Sequence, residues 1–169
     1  MAWIVVAIVL VLVVGYVIAL YNRLVRSRQM AEEGWSGIDV QLKRRADLVP
    51  NLVETVQGYA THERELLQRV TEARNQARAV PPDDVAARAQ AEGLLSAALG
   101  RLLAIVENYP DLKANQNFLN LQEQLATIEN EIQMARRYYN GAARELNVMV
   151  ESFPSNLVAG SFGFVKRAF

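Results

Sequence analysis

Between residues 35 and 80 the sequence repeats an apolar position at alternating steps of three and four. The series is Trp35, Ile38, Leu42, Arg45, Val49, Leu52, Val56, Tyr59, Glu63, Leu66, Val70, Ala73, Ala77 and Val80. Twelve of these fourteen are apolar or aromatic against a background of 51% hydrophobic residues, so the period is that of a helix with one buried seam and excludes a strand. Read as one rod, the stretch would extend roughly 70 Å. Propensity alone does not hold such a helix in water, so the seam requires partner helices.

Residues 2–20 carry no charge and are rich in Val, Ile and Leu. Nineteen such residues are about what a helix needs to cross a ~30 Å hydrocarbon core. A cleaved signal peptide is the competing reading, but it calls for a basic start, a shorter apolar core and a small-x-small exit, and the run ends instead at Leu20-Tyr21-Asn22. Trp3, Tyr16 and Tyr21 suit the interfaces of a bilayer. Arg23, Arg26 and Arg28 follow immediately, and by the positive-inside bias they place the carboxy-terminal body in the cytoplasm.

Past the anchor no glycine or proline cluster forms a linker, so the membrane helix is expected to run into the long helix. Gly34 and Gly37 are points where it could bend. Pro50 lacks an N–H and crowds the carbonyl of Ala46, which predicts a kink within a continuous helix; a full break at Pro50, giving four helices from one chain, is the alternative. Pro81-Pro82 ends the helix and Asp83 or Asp84 caps the next. That second helix is expected to reach about Asn108, with Leu94, Ala98, Leu102, Ile105 and Tyr109 on one face and Leu95, Leu99 and Val106 beside them. Pro110 ends it. The third helix has eleven consecutive apolar seam positions, from Phe118 through Leu121, Leu125, Ile128, Ile132, Ala135, Tyr139, Ala142, Leu146 and Met149 to Phe153. Leu119, Ala126, Met134, Tyr138 and Val150 widen that face beyond what a two-stranded coil buries. The reading is therefore all-α: a single amino-terminal transmembrane helix (1–22), a long-helix antiparallel, up-and-down, four-helix-like bundle (23–154), and an apolar tail (155–169) that docks on its own bundle or touches the bilayer surface or a partner.

Arg45 and Glu63 are the charged residues of the first seam. Eighteen residues apart, about 27 Å along a helix, they cannot pair with each other. Either each snorkels to solvent, or each meets an opposite charge on a neighbouring helix and fixes its register. Eighteen basic and eighteen acidic residues cancel without long blocks of one sign, so a nucleic-acid surface is not expected. The absence of cysteine removes disulfides, thiolate metal sites and thiol nucleophiles. His62 is the only histidine and sits in no H-E-x-x-H or E-x-x-H spacing, and there is no phosphate-binding glycine loop and no G-x-S-x-G turn.

Several runs closely resemble the LemA family of bacterial membrane proteins: Tyr21-Asn22-Arg23-Leu24-Val25, WSGIDVQLKRR from Trp35 to Arg45, DLVPNLVETV from Asp47 to Val56, GYATHE from Gly58 to Glu63, YPDLKAN from Tyr109 to Asn115, Ala135-Arg136, Tyr139-Asn140, and Phe153-Pro154 with Asn156. The resemblance covers nearly the whole chain except about residues 78–92. It implies a single membrane helix bearing an antiparallel helical bundle in the bacterial inner membrane. It also implies links to membrane stress, membrane organelle organisation and neighbouring membrane proteases, and it supplies no catalytic residues.

The expectation is a membrane-anchored scaffold or adaptor that self-associates as a homo-oligomer, or holds other membrane proteins such as a membrane protease, without catalysis, metal or cofactor. The oligomer is expected because a long helix with two shorter companions leaves apolar surface uncovered. The alternative is a hydrolase or metal-dependent enzyme with a site assembled from scattered carboxylates such as Glu54, Glu63 and Glu129.

Overall fold

The structure, a computed structural model, describes residues 2–169, and the described residues hold helices and no strand. The elements are α1 (Ala2–Gln57), α2 (Arg64–Ala79), α3 (Val85–Val106), α4 (Pro110–Lys113), α5 (Gln116–Glu151) and α6 (Ser155–Ser161). The chain divides into two compact units, one formed by the residues up to Ser36 with Ala135–Phe169, the other by Gly37–Met134.

In the second unit the helices run up, down, up and down. Within this unit α1 and α2 form an antiparallel hairpin: Arg74 meets Ala46 and Arg78 meets Asp47 across it. α3 returns parallel to α1, bringing Arg88 to Asp39 and Glu92 to Arg45, and α5 descends with Glu131 beside Arg44. Val49, Leu52 and Val56 of α1, Val70 and Ala77 of α2, Leu95, Leu99 and Leu102 of α3, Leu112 of α4, and Phe118 and Leu125 of α5 share one core. The apolar window of α3 is partly buried in this bundle, whereas the apolar window at the start of α1 is uncovered.

The expected single helix over residues 35–80 is corrected here. α1 passes Pro50 unbroken and ends at Gln57; the chain reverses over residues 58–63 and resumes as α2. Gly58 is a poor helix former, and at the turn the N–H groups of Tyr59 and Ala60 both fall on the carbonyl of Val56, at 3.0 and 2.8 Å. Ala60 takes the buried place while Tyr59, the expected seam residue, is exposed. The heptad phase survives because two packed helices need the same apolar spacing on either side of a reversal. The break also does not fall at Pro50. There, the missing N–H frees the carbonyl of Ala46, and the side chain of Arg74 donates to it at 3.1 Å from α2.

The remaining boundaries follow local chemistry. Asp84 caps α3, its carboxylate accepting from the Ala87 N–H at 3.0 Å. Pro110 does not merely end a helix: it opens the one-turn α4, and Tyr109 stands just before it and not on α3. Leu94 is exposed, because the buried face of α3 centres on Leu95, Leu99, Leu102 and Val106. Asn115 accepts from the Phe118 N–H at 3.1 Å at the start of α5. Along α5 every expected seam residue is at least partly buried, whereas Phe153, past the end of the helix, is 80% exposed.

In the first unit, Leu24 of α1 packs with Leu146 and Met149 of α5, Val158 and Ala159 of α6, and Phe164 of the tail. Gly34 lets the helices approach: a Cβ there would stand 2.9 Å from the Tyr138 ring and 3.0 Å from the Tyr139 Cα. The tail is strapped down by Asn147, which donates to the Arg167 carbonyl at 2.9 Å and accepts from the Arg167 N–H at 2.8 Å, and by Tyr139, which donates to the Ala168 carbonyl at 2.6 Å. Gly163, with φ of 71°, makes the turn that leads into it.

Candidate functional site

The polar chemistry inside the second unit is concentrated on one guanidinium. Arg45 projects from the seam of α1 into the bundle and is 1% exposed. Its two terminal nitrogens reach Glu92 of α3 at 2.6 Å, Ser96 of α3 at 2.8 Å and Glu129 of α5. One turn away on α3, Arg88 is also buried and pairs with Asp39 of α1, which Lys43 contacts at 2.6 Å. Three cations thus meet three carboxylates across α1, α3 and α5. Coulomb attraction and multiple hydrogen bonds offset the desolvation of these groups, although the Nε atoms of Arg45 and Arg88 are buried without an acceptor. The register reading of Arg45 is the one the geometry supports, and snorkelling is excluded by its burial.

Glu63 departs from expectation. It lies in the turn before α2 and accepts a hydrogen bond from the Tyr109 hydroxyl at 3.1 Å, so its partner is a phenol and not the opposite charge expected. Removal from solvent, with the Glu63 carboxylate adding to it, pushes the Tyr109 hydroxyl above its ordinary pKa. Beside it Asn115 donates to the Tyr59 hydroxyl at 2.8 Å. Two of the runs singled out in the sequence, residues 58–63 and 109–115, are therefore tied to each other at one end of this bundle.

The carboxylates named for a catalytic alternative are spread over different tasks. Glu129 is engaged by Arg45 and Glu63 by Tyr109, while Glu54 is exposed on α1. His62 is exposed in the same turn as Glu63 and, with Glu65, Arg69 and Arg101, lines a shallow open depression. Among the described residues no group of three His, Cys, Asp or Glu side chains is placed to hold a metal ion. The arrangement can hold helices in register.

Sequence reasoning found Arg45 because a charge interrupts an apolar seam. It missed Glu92, Ser96 and Glu129 as its partners, and the adjoining pair of Arg88 with Asp39. Arg88 and Glu92 stand in an alanine-rich stretch where periodicity is faint, and the available signal was their spacing of four, which puts opposite charges on one helix face.

Residues 34–169, which include this network and both turns, match the LemA family. The chain belongs to that family. Among similar proteins, Protein LemA of Metamycoplasma hominis is 28% identical over 138 residues, covering 82% of this chain and 63% of the relative. Magnetosome protein MamQ 2 of Paramagnetospirillum magneticum is 27% identical over 172 residues, covering 88% of this chain and 63% of its own length. Magnetosome protein MamQ of Magnetospirillum gryphiswaldense is 26% identical over 168 residues, covering 85% and 62%. The chain thus spans less than two thirds of the length of these curated relatives. As a LemA-family chain it is a helical protein whose first helix begins with a stretch long and apolar enough to cross a membrane.

Proposed function

We propose that this LemA-family chain is a membrane-anchored helical scaffold or adaptor. Residues 2–20 cross the bacterial inner membrane, Arg23, Arg26 and Arg28 hold the body on the cytoplasmic side, and the body binds further copies of itself or other membrane proteins without catalysis. The observation that carries this reading is the continuity of α1. One unbroken helix passes from an uncovered apolar run into a packed bundle, so whatever the body binds is held at the bilayer. The interior charges are spent on each other, which supports a structural task for them. Two of the relatives are named as magnetosome proteins, names that state no enzymatic activity.

The original ground for self-association, a long helix with two shorter companions, is weakened, because α2 covers part of the surface that a straight helix would have left open. Exposed Leu94 on α3 and Leu119 on α5 remain as apolar contact points for a second copy or a partner. The test is photo-crosslinking from these two positions in native membranes. The expected result is adducts with the chain itself or with membrane proteins, lost when residues 2–20 are deleted. A chain that forms no adducts while anchored would overturn the proposal.

A further inference from the structure

The elbow between α5 and α6 stands at the depth where α1 leaves its apolar run. In the first unit α1 and α5 are antiparallel, and several contacts fix their register. Gly34 lies against Tyr138 and Tyr139, and Ser27 Oγ donates to Met149 Sδ at 3.6 Å. Leu20 and Val150 pack on the same small core. Continued for less than a turn, about 5 Å of rise, that register brings Phe153 and Pro154 level with the last residues of the uncharged run of α1. Ring contacts close the same end: Tyr21 lies 4.8 Å from Phe162 and 5.8 Å from Phe164, centroid to centroid.

At this end the apolar residues divide. Val158, Ala159 and Phe164 face the core, whereas Phe153, Leu157 and Phe162 are 80%, 62% and 58% exposed. Basic residues are in excess in these segments: residues 20–28 and 143–169 together hold six Arg and Lys against two Glu, and Arg167 among them pairs with Glu32. Glu145 and Glu151 each face a base, Arg23 and Lys166. Phenylalanines and a leucine among cations, next to a helix that enters lipid, form the composition of an interfacial membrane contact.

We infer that the α5–α6 elbow is a second, shallow membrane contact. Phe153, Leu157 and Phe162 enter the headgroup boundary of the leaflet that α1 crosses, and Arg23, Arg26 and Lys166 lie among its anionic phosphates. The occupant is lipid because the patch is continuous with the spanning segment and because its charge complements an anionic leaflet. The inference rests on the reading that residues 2–20 span the bilayer. Its consequence is attachment at two points, which fixes the tilt of this unit on the membrane instead of leaving it to swing on a single helix.

The absence of cysteine makes the test direct. The full chain is labelled with an environment-sensitive fluorophore at one introduced cysteine, Phe153→Cys, Leu157→Cys, Val9→Cys or Asn140→Cys, and reconstituted in phosphatidylcholine–phosphatidylglycerol vesicles with nitroxide lipids of graded depth. All four positions are exposed, so the core is untouched. The expected result is loss of most of the emission to deep nitroxides at position 9 and to shallow nitroxides at 153 and 157, with a water-like, unquenched signal at 140. Quenching at 9 with water-like emission at 153 and 157 overturns the elbow contact and leaves the anchor standing. A blue-shifted label at 153 and 157 that nitroxide lipids do not quench means burial against protein, which also overturns it. No quenching at position 9 removes the anchor and the elbow contact together.

Discussion

At the scale of single residues, Arg45 carries the most consequence. Removing its guanidinium takes the hydrogen-bonded cation from the buried Glu92 carboxylate and leaves it only Arg88, whose Nε stands 3.8 Å away, so Arg45→Ala is expected to cost about 3–5 kcal/mol in chemical denaturation. Replacing both partners, Arg45→Met with Glu92→Leu, is expected to recover most of that loss. If Arg45→Leu alone raised the melting temperature without altering assembly, the register role would have to be abandoned. Gly34 gives a second case: Gly34→Ala drives a methyl group toward the Tyr139 backbone and is expected to destabilise by about 1–3 kcal/mol. Tyr109 sets an alkaline limit. Its folded pKa lies above the unfolded value, so the stability it contributes is fully present below about pH 10 and is lost as pH rises through the folded value. Tyr139, raised mainly by burial and opposed by Arg167, acts in the same direction. Unfolding free energy measured from pH 8 upward should fall on the alkaline side, and Tyr109→Phe should flatten part of that fall. Arg45 was legible in the sequence as a charge among apolar neighbours. Its partners were not, because pairing across helices depends on packing order, which a seam does not encode.

At the scale of elements, Pro50 and Arg74 form a unit that periodicity cannot show. The proline frees a carbonyl within α1, and a side chain from α2 occupies it. Arg74→Ala is expected to cost on the order of 1 kcal/mol in the native sequence and less in a Pro50→Ala background, where the backbone N–H returns. A double-mutant cycle showing no coupling would refute that linkage. The α5 seam, the Asp84 cap and the apolar run at the start of α1 were all readable, because each is set by local spacing or local chemistry. The reversal over residues 58–63 was not. Its apolar phase carries straight through, and what decides it is the tertiary hold of Asn115 on Tyr59 and Tyr109 on Glu63, between residues 46 and 56 positions apart.

At the scale of the whole molecule, the account is of a LemA-family helical bundle joined to lipid by the helix that also supplies its first packed element. Composition already argued for this: nineteen uncharged residues precede a body in which acids and bases balance. The measurement that tests the claim most directly is alkaline carbonate extraction of membranes from cells producing the full chain, beside a chain lacking residues 2–20. The account predicts that the full chain remains in the membrane pellet and that the shortened chain appears in the supernatant, still helical by circular dichroism. A full chain released by carbonate into the soluble fraction would contradict it.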